Sequence, residues 1–192
     1  MPDLIIRNVS IVDGEGGPAF AGDVAIEGDR IAEVGQVRGS AHEAIDGAGL
    51  TLAPGFIDVH THDDFAFVRH PDMTFKLAQG VTTCVCGNCG FSAMPGAPTG
   101  SAGLLAGPGD EFADLEAFFD AALSQRPAIN AIMLAGHNTI RTAVMGMEER
   151  APTAFELAQM KSKVRQAMEQ GACGFSTGLI YRPGRWARTD EV

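Results

Sequence analysis

Basic residues are scarce in this sequence and are not clustered. There are 14 lysines and arginines against 24 aspartates and glutamates, so the formal net charge is −10 at pH 7. Nucleic acids and anionic membrane surfaces attract proteins through patches of Lys and Arg. The composition therefore argues against both kinds of partner.

Long apolar runs are also missing. No segment approaches the roughly 20 apolar residues that cross a bilayer as a helix. The first residues, Met-Pro-Asp-Leu-Ile-Ile-Arg, do not show the basic start and apolar core of a secretory signal. We therefore expect a cytoplasmic protein with no membrane partner.

Cysteine is sparse and unevenly placed. Cys84, Cys86 and Cys89 lie close together, and Cys173 stands alone. This layout does not suit the disulfide framework of a small secreted domain. We expect four reduced thiols.

Two different patterns of apolar and polar residues follow each other along the chain. Up to residue 51, short apolar bursts alternate with Gly- and Asp-rich turns, which is typical of short antiparallel strands. From Leu52 onward, apolar strands alternate with polar loops and amphipathic helices, which is typical of parallel β/α units. The sequence thus predicts a small β-sandwich layer over residues 1–51 and an α/β barrel portion over residues 52–192.

The second region contains four predicted strands. They end near His60, Cys86, Ala135 and Thr177. Helices are predicted over residues 110–123 and after Thr153, where Thr-Ala-Phe-Glu forms a capping box. A complete eight-stranded TIM-like barrel takes about 250 residues, so we expect about four β/α units, the first half of such a barrel.

Two histidines, His60 and His62, follow the first apolar strand of this region, Leu52-Ala-Pro-Gly-Phe-Ile57. Residues i and i+2 of a strand point to the same side, so both imidazoles would face one metal ion, as two ligands of a divalent metal do. Asp63 and Asp64 would orient an imidazole or add negative charge. The alternative is a pair of surface or core histidines beside a turn.

Cys89 follows the next strand after Gly87-Asn88, at the end where the histidines are expected. A thiolate there would reach the same metal, because a cation lowers the pKa of a neighbouring thiol. The competing interpretation is a separate zinc or iron–sulfur knuckle made by Cys84, Cys86 and Cys89. It lacks a second cysteine pair, and Cys84 and Cys86 suit small buried positions within a strand.

Several short motifs resemble those of the amidohydrolase superfamily. Ala53-Pro-Gly-Phe-Ile-Asp-Val-His-Thr-His62 is similar to the opening of that superfamily. More narrowly, Gly87-Asn-Cys-Gly-Phe-Ser92, Gly136-His-Asn-Thr-Ile-Arg141 and Gly174-Phe-Ser-Thr-Gly-Leu-Ile-Tyr181 resemble the D-aminoacylases, or N-acyl-D-amino-acid deacylases. The cysteine is distinctive, because many relatives carry a carboxylated lysine there.

The resemblance implies a metal-dependent hydrolase barrel with Zn2+ as cofactor. It implies that His60 and His62 bind the more weakly occupied metal position, and that Cys89 binds the tightly held zinc and can bridge both positions. It also implies that Tyr181 lies near the substrate, although a loop aromatic packed on the barrel rim is an alternative. His137 either lines the pocket or caps a strand.

The chain departs from the family pattern in two places. Arg182 stands where relatives often carry proline, which leaves the local loop shape open. The family's two further zinc histidines, its later lysine and its late-strand aspartate have no counterpart, and His70 matches no ligand motif. The general-base aspartate is therefore expected beyond Val192.

The resemblance implies zinc-dependent hydrolysis of the amide bond of small N-acyl-D-amino acids, with this chain inactive by itself. One alternative is an amidohydrolase of cyclic amides, such as a hydantoinase or dihydropyrimidinase, where a lysine would be expected in place of Cys89. Another is a scaffold that kept the fold and lost the chemistry. The sequence leaves the oligomeric state open.

Overall fold

The chain contains two β-sheets, one in each of its two structural units. The computed structural model describes residues 1–192, which divide into the units Met1–Gly55 and Phe56–Val192. The change in hydrophobic pattern along the sequence predicts a division a few residues earlier, after residue 51. None of the helices is long and apolar enough to cross a membrane.

The first unit is built on one sheet with the strand order β3-β2-β1-β4, and β5 also pairs with β1. The strands are β1 (Leu4–Ile11), β2 (Phe20–Glu27), β3 (Arg30–Gly35), β4 (Glu43–Asp46) and β5 (Thr51–Leu52). The first three strands pair antiparallel, as predicted. By contrast, β4 and β5 run parallel to β1, because the chain crosses back over the sheet after β3.

The second unit contains a parallel sheet with the strand order β6-β7-β8-β9. Its strands are β6 (Phe56–Asp58), β7 (Val81–Cys86), β8 (Asn130–Gly136) and β9 (Gly174–Ser176). Its helices are α1 (Ala66–Arg69), α2 (Thr74–Leu77), α3 (Leu115–Ser124), α4 (His137–Met145) and α5 (Ala154–Glu169). Four consecutive parallel strands with intervening helices confirm the predicted partial barrel.

Apolar side chains between the sheet and its helices form the core of this unit. The largest fully buried ones are Phe65, Phe67, Met73, Leu115, Phe118, Met133 and Ile140. Each such side chain contributes about 1.5–3 kcal/mol when it leaves water. This core fixes the strands whose loops carry the polar residues described below.

Two predicted elements differ from the observed ones. The apolar run from Leu52 to Ile57 is divided, because Leu52 pairs with Ile11 in the first sheet while β6 begins only at Phe56. The helix predicted over residues 110–123 begins at Leu115, since Asp114 accepts the N–H of Ala117 as its N-cap. The capping box at Thr153 is present as predicted.

Candidate metal centre

The loops that follow the four parallel strands lie at one edge of the sheet, because parallel strands end on the same side. In this unit those loops contain the polar residues singled out by sequence. The segment after β6 carries His60 and His62, and a 3-10 turn over Asn88–Gly90 after β7 carries Cys89. The segment after β9 leads to Tyr181.

His60, His62 and Cys89 converge on one point. Each offers a ligand atom, and the three atoms lie within 4.8 Å of one another. The Nε2 atom of His60 is 3.4 Å from the Sγ atom of Cys89. The two imidazole rings are 5.6 Å apart between centroids and meet edge to face at 85°. The structure therefore brings together the three residues that the sequence selected.

The two histidines reach this point from a loop rather than from the pleat of a strand. β6 ends at Asp58, and the N–H of His60 donates to the Asp58 carboxylate at 3.2 Å. Thr61, between the histidines, is buried, and its N–H donates to the carbonyl of Val85 in β7 at 3.3 Å. A loop fixed against β7 thus replaces the predicted strand geometry.

Cys89 occupies an unusual backbone conformation. Its φ is 56° and its ψ is 22°, in the left-handed region, and the glycines at 87 and 90 on either side also have φ of 80°. A non-glycine residue there costs roughly 1–2 kcal/mol. Asn88 stabilises the turn by donating its side-chain N–H to the carbonyls of Val85 at 2.7 Å and Thr61 at 3.2 Å. The turn directs Cys89 towards the histidines.

Two residues on later strands hold the Cys89 turn from the other side. Ser176, the last residue of β9, accepts the N–H of Gly90 at 3.0 Å and donates its hydroxyl to the carbonyl of Gly87. Asn138, near the start of α4, donates to the carbonyl of Cys89 at 3.2 Å. Ser176 lies within Gly174–Tyr181 and Asn138 within Gly136–Arg141, yet no local sequence pattern predicts this role for either residue.

Close backbone approaches explain why the surrounding motifs are rich in glycine. A Cβ atom on Gly178 would overlap the carbonyl oxygen of Cys89, and one on Gly136 would come within 2.7 Å of the carbonyl oxygen of Gly90. The Cys89 turn therefore packs directly on the backbone at the end of β8 and on the backbone that follows β9. Side chains at these two positions would displace it.

The electrostatic surroundings suit neutral imidazole ligands. Burial, with the neighbouring His60, lowers the pKa of His62, and Asp63 offsets this only in part. The hydroxyl of Ser101 lies 3.1 Å from Nδ1 of His62, which leaves Nε2 as the nitrogen free to bind a metal. A neutral imidazole is the form that binds metals.

Neither aspartate after the histidines forms a hydrogen bond with an imidazole, although the sequence suggested this role. Asp63 pairs instead with Lys76 at 2.7 Å. Asp64 is completely buried, and its oxygens form no hydrogen bond of ordinary geometry. Burial raises its pKa to about 7, despite nearby backbone N–H groups that lower it.

The cysteine-knuckle alternative does not match the geometry. Cys84 and Cys86 are completely buried within β7, and neither joins Cys89 in a group of convergent ligand atoms. Burial raises the pKa of Cys84 to about 11 and that of Cys86 further still, so both remain protonated thiols. They are small core residues beside the centre.

The remaining candidate residues lie around the centre in different ways. The ring of Tyr181 is about half exposed and packs on Phe91, with 5.7 Å between ring centroids. His137 is buried at the start of α4, and its Nε2 lies 3.0 Å from a carboxylate oxygen of Glu191. His137 therefore contacts a carboxylate away from the convergent group, which agrees with a structural role.

The donor set fits zinc. Zinc prefers imidazole nitrogen and thiolate sulfur, and bond lengths of about 2.0–2.1 Å and 2.3 Å at a tetrahedral angle place such ligands about 3.5 Å apart. The 3.4 Å between His60 and Cys89 matches this spacing. Three protein ligands leave coordination positions open, as catalytic sites require.

Known proteins resemble the whole chain. Residues 43–184 match the amidohydrolase family. The N-acyl-D-glutamate deacylase of Alcaligenes xylosoxydans xylosoxydans is 43% identical over 99% of this chain and 40% of its own length. The chain thus spans about 40% of that relative.

Solved structures of deacylases also resemble the whole chain. The N-acyl-D-glutamate deacylase of Bordetella bronchiseptica, complexed with zinc and a phosphonate mimic of the tetrahedral intermediate, superposes with a TM-score of 0.92 and 44% identity over 99% of this chain and 41% of its own. A D-aminoacylase with a binuclear metal centre superposes with a TM-score of 0.94 and 42% sequence identity. The match covers 100% of this chain and 41% of the D-aminoacylase chain. These similarities confirm the resemblance that the motifs predicted, and the chain belongs to the amidohydrolase family.

Proposed function

We propose that the protein hydrolyses the amide bond of N-acyl-D-amino acids with the help of zinc held in part by His60, His62 and Cys89. The observation that carries this proposal is the convergence of these three ligand atoms within 4.8 Å. The relatives described above are deacylases of this substrate class and support the choice of substrate. The complete activity belongs to a protein of the relatives' length.

Each residue of the centre has a task in this proposal. His60, His62 and Cys89 would hold the metal, which when bound polarises the amide carbonyl and lowers the pKa of water. Ser101 orients His62, while Ser176 and Asn138 fix the turn that presents Cys89. Tyr181, on the loop after β9, would contact the substrate.

The cyclic-amide alternative has less support. An enzyme of that class would be expected to carry a lysine in place of Cys89, whereas the Sγ atom of Cys89 lies 3.4 Å from Nε2 of His60. A scaffold without chemistry would not need a left-handed cysteine facing a histidine pair, because strained conformations persist where a function uses them. Metal content separates the scaffold from the enzyme.

The first experiment measures metal binding by the 192-residue chain. Co2+ would replace zinc, because a cobalt–thiolate bond gives a charge-transfer absorption band. We expect this band in the natural chain and in Cys173→Ala, whose altered cysteine is exposed, but not in Cys89→Ala. Absence of the band from the natural chain would contradict the proposed ligand set.

The second experiment measures catalysis. The 192-residue chain, supplied with Zn2+, should release no D-amino acid from N-acetyl-D-glutamate or N-acetyl-D-methionine, because the proton-transfer aspartate is expected beyond Val192. Such a group is worth typically about 10²–10⁴-fold in rate. A reading frame extended to the relatives' length should hydrolyse the D substrates and spare their L enantiomers and hydantoin. Hydantoin turnover alone would favour the cyclic-amide reading.

A further inference from the structure

Lys76 on α2 lies at the centre of a second polar cluster, beside the histidine pair. Its Nζ atom is 2.7 Å from an oxygen of Asp58 and 2.7 Å from an oxygen of Asp63. It also donates to the hydroxyl of Thr61 at 3.2 Å. The lysine and both carboxylates are largely shielded from water, with side-chain exposures of 16–29%. One ammonium group thus contacts the last residue of β6 and two residues of the loop that bears the histidines.

These three contacts hold the histidine-bearing segment at both ends and at Thr61, between the two histidines. Asp58 precedes His60 and accepts its N–H, and Asp63 follows the histidine pair and accepts the hydroxyl of Thr61. The segment from 58 to 63 therefore forms a closed loop around one positive charge. Metal-binding loops often use a bound cation in the same way.

The carboxylates of Asp58 and Asp63 and the thiol of Cys84 are close enough to bind one metal ion, since their ligand atoms lie within 4.8 Å of one another. Lys76 already supplies the positive charge there. Burial lowers the pKa of Lys76, but its hydrogen bonds with Asp58 and Asp63 outweigh that effect and raise it above its ordinary value. The ammonium group of Lys76 is thus an internal cation that offsets part of the negative charge of the two carboxylates.

We propose that Lys76 is a positioning residue for the metal centre, whose ammonium group takes the place of a bound cation and fixes the loop that presents His60 and His62. The inference deepens the proposed function, because the two histidines matter as metal ligands only if that function holds. Lys76 touches neither imidazole through a hydrogen bond. It acts through Asp58, Thr61 and Asp63.

The first test needs no metal. Amide hydrogen exchange would be compared in the natural chain, Lys76→Met, Lys76→Arg and the control Lys161→Met, which alters an exposed lysine of α5. We expect faster exchange over residues 58–64 in Lys76→Met alone, and natural exchange over β8 in all four proteins. Unchanged exchange over residues 58–64 in Lys76→Met would overturn the proposal.

A second variant covers the case in which Lys76→Met does not fold because it leaves two shielded carboxylates without a cation. Asp58→Asn/Asp63→Asn/Lys76→Met removes all three charges, and replacing a buried ion pair with neutral groups is often tolerated. We expect this protein to fold and to exchange rapidly over residues 58–64. Natural protection of that segment would show that the charged cluster does not position it.

The third measurement connects Lys76 with the metal. The Co2+ affinity, followed by the thiolate charge-transfer band, should fall about 10–100-fold in Lys76→Met, the usual loss when a residue supporting the ligands is removed. Lys76→Arg should restore most of it. If the natural chain binds no Co2+, the proposed function fails while hydrogen exchange still decides the role of Lys76. Equal affinity in Lys76→Met and the natural chain would overturn the positioning role.

Discussion

The Nε2 atom of His60 and the Sγ atom of Cys89 lie 3.4 Å apart, although 29 positions of sequence separate the two residues. One residue follows β6 and the other follows β7. Their proximity depends on the parallel pairing of these strands and on the support of the Cys89 turn by later elements.

Ser176→Ala should destabilise the second unit and weaken metal binding. The substitution removes the acceptor for the N–H of Gly90 and the donor to the carbonyl of Gly87. A shielded polar group left without a partner costs roughly 1–3 kcal/mol. Urea unfolding followed by the fluorescence of Trp186, the single tryptophan, measures the change. Ser124→Ala, which loses two exposed local hydrogen bonds at the end of α3, should change stability little; an equal loss in both variants would refute the role of Ser176.

Gly178→Ala should disrupt the Cys89 turn by steric overlap. The added Cβ would occupy the space of the Cys89 carbonyl oxygen, and overpacking costs typically about 1–3 kcal/mol. In the control Gly103→Ala, the added Cβ meets Pro98 at 3.3 Å, and we expect a smaller effect. Trp186 fluorescence in urea reports both variants. Natural stability and Co2+ absorption in Gly178→Ala would contradict the close packing described here.

The capping box of α5 should contribute a pH-dependent stability. A hydrogen bond with Arg150, helped by the N–H of Thr153, lowers the pKa of Glu156 to about 2. A lowered pKa in the folded state means that the carboxylate stabilises the fold above about pH 4.5 and that this contribution is lost as pH falls towards 2. Glu156→Gln should therefore unfold in less urea than the natural chain at pH 6, with the difference shrinking below pH 4.5.

The matched control for this titration is Glu169→Gln, which alters an exposed carboxylate at the other end of α5. It should leave the pH dependence of unfolding as in the natural chain. A difference between Glu156→Gln and the natural chain that stayed constant from pH 6 to pH 2 would mean that the carboxylate charge contributes nothing.

The four thiols should react with Ellman's reagent in two groups. Cys173 is exposed and Cys89 half-buried, whereas Cys84 and Cys86 are buried with raised pKa values. We expect two rapidly reacting thiols in the folded chain and four in urea. Zn2+ should protect Cys89 but not Cys173, and the variant Cys173→Ser isolates the protected thiol. Equal reaction of that thiol with and without Zn2+ would argue against Cys89 as a ligand.

Local patterns predicted much of the second unit. The β-branched and apolar run of β7 and the capping box of α5 are complete within a few residues, and both were confirmed. The start of α3 was predicted too early, because Asp110 is engaged by Arg69 through two hydrogen bonds and Gly107 donates to the same carboxylate. This distant partner keeps Asp110 out of the helix, and Asp114 is the N-cap.

The same limit applies to the candidate centre. His60, His62 and Cys89 were chosen from residue type and from their position after predicted strands, and their role as ligands stays a prediction. Ser176 and Lys76 were not chosen, because a serine and a lysine are common residues whose contacts here depend on tertiary pairing. Residue chemistry identified candidate ligands, whereas their supports required three-dimensional neighbours.

The bond between the N–H of Gly90 and Ser176 spans 86 positions of sequence, which has a consequence for how the protein is made. A ribosome adding about 5–20 residues per second needs about 4–17 s to synthesise that interval. During that time the Cys89 turn lacks its support from β9. The newly made thiol is therefore open to oxidants and stray metal ions until β9 has been translated and has paired with β8, and damage at Cys89 should depend on the speed of translation.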